Sequence, residues 1–152
     1  MLRAWWLTIS AMAATPTSVA YPEGYRGWNH VKTMEIEAGH ALSDPFQGVH
    51  HVYVNDTGAS ALKAGKALPT GTVLAFDLLA SVAADHARAE GARKFVGVMV
   101  KDPQRYGATG GWGFEVFVGD TRERAVTDGG AGCFTCHQSQ ASSDYVFSRW
   151  RQ

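Results

Sequence analysis

The chain has 152 residues and carries 14 Lys+Arg against 14 Asp+Glu, so no net positive charge marks it for nucleic acid or an anionic membrane surface. Its length suits one domain built on a single core. No internal repeat, low-complexity tract or long linker divides it.

The first twenty residues, "MLRAWWLTISAMAATPTSVA", read as a secretory signal peptide. Arg3 supplies the positive start, Ala4 to Ala14 the apolar stretch, and Ser18-Val19-Ala20 a small-x-small cleavage site. That apolar stretch is too short to span a bilayer, which takes about 20 residues. The expectation is an exported, periplasmic protein of one domain, residues 21–152, with no membrane span after cleavage. This segment keeps 13 Lys+Arg and 14 Asp+Glu, a formal charge of −1.

After the leader, "PEGYRGW" predicts one or two helical turns with proline at the start, and "NHVKTMEIE" a first strand. "HHVYVND" (50–56) alternates, with Val52 and Val54 on one face and His51 and Tyr53 on the other. A short helix follows over "TGASALKAG", with Asn55 or Asp56 as its cap and Gly65 as its stop. "TVLAFDLLAS" (72–81) and "KFVGVMVKD" (94–102) are apolar on both faces, as central strands are. "GFEVFVGD" (113–120) places Phe114, Val116 and Val118 on one side, and "DYVFSRW" predicts a last helical turn. The pattern is that of an α+β fold, mainly an antiparallel β-sheet with a few short helices.

Both cysteines fall in "CFTCH", residues 133–137. In an oxidising compartment two thiols usually mean a disulfide, but Cys-x-x-Cys-His is the pattern of c-type haem attachment: both thiols add to the haem vinyls and the histidine ligates the iron. A zinc site is usually built from more than one such pair, and a thioredoxin-like pair belongs near a βαβ pattern. The reading is therefore one covalent haem c per chain near the C-terminus, held by Cys133 and Cys136, with His137 on the metal. The methionines of the segment after the leader, Met34 and Met99, both precede the motif, and Met99 sits in an apolar strand as core. His30, His40, His50, His51 and His86 are the histidines able to close the sixth position. With no dedicated sixth ligand, an open site for a small molecule is the expectation.

The blocks "YPEGYRGWNHVKTM", "GVHHVYVND", "EGARKFVGVMVKDPQRY", "ATGGWGFEVF", "CFTCH" and "DYVFSRW" together, in this order over about 21–150, resemble the cytochrome P-460 family. The resemblance implies a periplasmic c-type haem protein of largely antiparallel β fold, commonly a homodimer served by a redox-partner cytochrome. It implies oxidation of hydroxylamine to nitrous oxide or nitrite at a five-coordinate haem, an oxidoreductase activity. The related cytochromes c-prime-beta instead bind nitric oxide and carbon monoxide without that chemistry. The family feature that separates the branches is a lysine bonded covalently to the haem, and its match here is Lys63 in "LKAGK", with Lys66 as neighbour. Such an amine must lose its proton to bond carbon, which an apolar pocket favours. The resemblance further implies a distal carboxylate handling protons, matched to Glu90 in "AEGARKF". Asp77 is the alternative carboxylate, and its apolar neighbours call for a partner such as Arg93 or Lys94. Where the family has an aromatic after the "GK", this chain has Ala67-Leu68-Pro69. Phe46 and Phe76 are then candidates to line the pocket, and an apolar cap of that kind would resemble the gas-binding branch.

Overall fold

The computed structural model describes residues 18–151, so the expected signal peptide lies outside the described residues up to position 17. Five strands form one antiparallel sheet in chain order: β1 (Asn29–Ile36), β2 (Gly48–Val54), β3 (Val73–Ala84), β4 (Ala87–Lys101) and β5 (Trp112–Val118). Three short helices accompany it, α1 (Ser43–Phe46), α2 (Asp56–Lys63) and α3 (Ala131–His137), with 3₁₀ turns at Tyr25–Gly27, Gly107–Thr109 and Gln138–Ser143. No helix among the described residues is long and apolar enough to cross a membrane. The α+β reading holds.

The alternation along each strand divides the core in two. Val52 and Val54 of β2, Leu74 of β3 and Trp112 and Phe114 of β5 pack with Ala59 of α2 and with Val146 near the C-terminus. Partly buried Cys133 and Phe134 of α3 and Trp150 close against this cluster, and its side of the sheet is called here the α3 face. The opposite face buries Ala75, Val96, Val98 and Phe117 together with Val19 and Tyr25, with Tyr53 packed against them. His51 and Tyr53 do point away from Val52 and Val54, as the alternation predicted.

Helix α2 ends as its sequence indicates. Asn55 caps it by accepting from the Gly58 amide at 3.3 Å. At the other end Gly65 takes φ +61°, and the amides of Gly65 and Lys66 donate back to the carbonyls of Leu62 and Ala61, the paired bonds that terminate a helix on a left-handed glycine.

Three elements differ from the sequence reading. β3 and β4 run on as a long hairpin through "SVAADHARAEGAR", turning at Asp85 and His86, both at positive φ (48° and 58°). Such a two-residue turn matches strand twist and usually shows glycine or asparagine. Secondly, the "DYVFSRW" segment is not helical: the 3₁₀ turn lies just before it, and Asp144 and Tyr145, at φ 54° and 63°, end the turn and send the chain out extended. Thirdly, the cysteine motif itself forms α3, for which composition gave no signal.

Candidate functional site

Helix α3 starts where Gly130 takes φ +91°, and a Cβ there would stand 3.0 Å from the Cβ of Phe114. Glycine therefore lets the helix begin directly against β5. Asp128 accepts from the amides of Gly130 (2.9 Å) and Gly132 (2.7 Å), which satisfies free donors of the first turn and holds the Asp128 carboxyl below its ordinary pKa. Cys133 and Cys136, three residues apart, fall on one side of this helix. Both are free thiols, the first half-buried and the second exposed, and burial pushes the Cys133 thiol pKa up.

His137 closes the helix between the rings of Phe114 (5.1 Å) and Phe147 (5.0 Å). Its Nδ1 lies 2.7 Å from the Tyr145 carbonyl. A carbonyl can only accept, so Nδ1 carries the proton and Nε2 keeps its lone pair, the arrangement by which a backbone acceptor orients a metal-ligating imidazole. Burial depresses the His137 pKa, with the Tyr145 carbonyl acting in the other direction; the net effect favours the neutral, ligating form.

Beside α3, on the same sheet face, lies a row of rings. Phe76 stacks on His50 (4.6 Å) and on Phe95 (5.9 Å), and Phe46 of α1 stands edge-on to Phe76 and Phe95 at 5.9 and 6.0 Å. Phe76, Phe95, Val116 and Met99 are half-buried here, and Phe147 and Met34 are 45% and 39% exposed. These are the features a flat, apolar macrocycle needs: two thiols and a free imidazole nitrogen at the edge of a partly exposed aromatic floor. The residues present fit a covalent haem.

The structure brings some of the predicted residues to this face and leaves others elsewhere. Lys63 ends α2, whose Ala59, Ala61 and Leu62 pack in the same cluster as Cys133, and its Nζ lies 4.5 Å over the Trp150 ring. Phe46 and Phe76 are brought together as a wall. Glu90 is not brought to His137. It sits in β4, paired with Ser81, and its carboxylate meets His51 Nε2 at 2.6 Å and Arg26 at 3.2 Å on the opposite face of the sheet. The strand extension is the reason: as a strand residue Glu90 takes the side that His51 and Asp77 share.

Asp77 belongs to that same far network. It is fully buried and accepts from Arg93 Nε at 2.6 Å and Arg26 Nε at 2.8 Å. The Arg93 partner was anticipated; Arg26, 51 residues away in the first 3₁₀ turn, was not. Burial acts to raise the Asp77 pKa, but the bonds from Arg93 and Arg26 hold it below the usual carboxylate range. Of the other histidines, His30 and His51 both meet the Thr33 hydroxyl on the far face (2.9 and 2.7 Å), His40 accepts from the Leu42 amide, and His86 is exposed at the hairpin tip. Only His50, among the described histidines other than His137, lies on the α3 face.

No curated protein matches the chain. The family model described as Cytochrome P460 matches residues 22–148, nearly everything from the first 3₁₀ turn to the segment beyond His137. Its haem agrees with the thiols, the oriented histidine and the aromatic floor. The chain belongs to the Cytochrome P460 family.

Proposed function

We propose that this is an exported haem protein that binds a small diatomic ligand, nitric oxide or carbon monoxide, at a haem attached through Cys133 and Cys136 and ligated by His137. When bound, the haem supplies an iron with one position available to a small ligand and a redox change within reach. The chain's own residues do the rest. Cys133 and Cys136 would tether the group beside β5, and Tyr145, by holding His137 Nδ1, leaves Nε2 free to ligate the metal. Phe46, Phe76 and Phe95 would offer it an apolar, water-excluding wall.

The observation that carries this reading is that aromatic wall, together with the commitment of Glu90 to Arg26 and His51 on the far face. An apolar wall suits a neutral gas and gives little help to a reaction that must shed protons. Oxidation of hydroxylamine is the second reading, and the position of Lys63 favours it: the residue ends a helix packed in the cluster of Cys133. Its Nζ lies 4.5 Å over the Trp150 ring. A cross-link would have to replace that contact.

The test is to load the protein with haem, titrate the ferrous form with nitric oxide and carbon monoxide, and assay hydroxylamine with an artificial electron acceptor. The proposal expects saturable gas binding to a five-coordinate haem and no turnover. Sustained hydroxylamine oxidation would establish the second reading instead.

A further inference from the structure

One buried histidine on the α3 face is used by nothing above. His50 lies in β2, in register with Met34 of β1 and Leu78 of β3, two strands from Phe95 and beside the ring of Phe76. It is 3% exposed, and its Nδ1 is buried without a hydrogen-bond partner. Buried polar atoms are nearly always partnered, and an orphan costs on the order of 1–3 kcal/mol. On the far face His30 and His51 each meet the Thr33 hydroxyl, and His51 Nε2 stands 2.6 Å from the Glu90 carboxylate though outside hydrogen-bond geometry. His50 alone faces a wall of phenylalanine.

Burial above all, with Lys32 of β1 and His51 of β2 acting in the same direction, pushes its pKa down to about 4. At neutral pH the ring is therefore uncharged and offers one N–H donor and one acceptor nitrogen. Phe76, Leu78 and Phe95, from β3 and β4, bring no charge to it.

We propose that His50 is the polar group of the haem site, an imidazole that would hydrogen-bond a small molecule bound at the iron. This rests on the reading that the haem lies on the α3 face, and it holds for a gas or for hydroxylamine alike. In an otherwise apolar site a single donor gives orientation and selectivity that ring contacts cannot, because a dry hydrogen bond discriminates between ligands by their acceptor atoms.

The experiment uses the haem-loaded full chain and its ferrous carbon monoxide adduct, read by infrared spectroscopy in H₂O and in D₂O, with cyanide binding to the ferric form as a second readout. The wild-type C–O stretch is expected to shift on transfer to D₂O. His50→Phe should raise the stretch, abolish the solvent shift and weaken cyanide binding by about 2- to 10-fold, the equivalent of one hydrogen bond. His50→Gln, which keeps an N–H donor, should restore part of both effects. A wild-type stretch insensitive to D₂O overturns the proposal, whether or not the phenylalanine variant folds. A six-coordinate, bis-histidine ferric spectrum that His50→Phe converts to five-coordinate overturns it too, since His50 would then be a ligand. Neither readout depends on turnover: a protein that oxidises hydroxylamine yet shows the His50 effect refutes the gas-binding function and leaves this inference standing, whereas a protein that attaches no haem overturns both.

Discussion

The two faces of the sheet come from the same alternating strands and are completed in different ways. On the far face Ala75, Val96, Val98 and Phe117 are buried to within 2%, and the charged groups there pair: Asp77 with Arg26 and Arg93, and Glu90 with Arg26 and, at 2.6 Å but outside hydrogen-bond geometry, His51. On the α3 face Phe76, Phe95, Val116 and Met99 remain half-buried, and His50 carries an orphan nitrogen. A face closed by its own chain contributes to stability. A face of half-exposed rings beside two free thiols and an oriented histidine is shaped for another molecule. Perturbed ionisable groups occur on both, so charge perturbation alone does not identify the site; the partnering of those groups does.

Four changes test that contrast, from the largest effect to the smallest. Replacing Cys133 and Cys136 together by serine should abolish haem that survives denaturation, read as loss of haem-dependent staining on a denaturing gel, while circular dichroism of the β-sheet persists. Asp77→Ala should act on the other face. It strands two arginines around a buried site and should cost about 3–5 kcal/mol in urea unfolding, without altering the haem spectrum of whatever remains folded.

Acid should separate the faces by window. His50 has a folded pKa of about 4 against 6.5 for the free group, so its neutral form is the one the fold favours. Its contribution is complete above pH 6.5 and is lost as pH falls from 6.5 toward 4, by at most about 3 kcal/mol. Asp77, with a depressed pKa, contributes above the ordinary carboxylate pKa and loses that contribution only at lower pH. Urea unfolding of wild type and His50→Phe across pH 4 to 7 should show the first loss in wild type and a flatter curve in the variant. The smallest effect is expected from Glu90→Gln. Its partners are partly solvated, so stability should fall by about 0.5–1 kcal/mol, and carbon monoxide affinity should not change, since Glu90 lies on the far face.

Much of this arrangement is readable from the residues. Alternation in "HHVYVND" assigns Val52 and Val54 to one side and His51 and Tyr53 to the other, the caps of α2 sit at Asn55 and Gly65, and "CFTCH" points to a haem, with which the family agrees. What escapes is set by long-range packing. The hairpin turn at Asp85-His86 lacks the glycine that usually announces it, so Glu90 reads as a loop residue near Gly91 although it is a strand residue facing His51. Arg26 is joined to Asp77 by the fold alone. His50 and His51 are adjacent in sequence, and only the fold, which no local pattern records, sets one against Phe76 and the other against Thr33 and Glu90.

A tryptic peptide map of the haem-loaded protein, analysed by mass spectrometry, is the most direct test of haem attachment at Cys133 and Cys136. Cleavage after Arg124 and Arg149 releases residues 125–149, which contain Cys133, Cys136 and His137. The account predicts haem mass on that peptide alone, with normal cleavage after Lys63. A haem-free 125–149 peptide, or a Lys63-containing peptide that travels with the haem, would contradict it; the latter would make hydroxylamine oxidation the function to pursue.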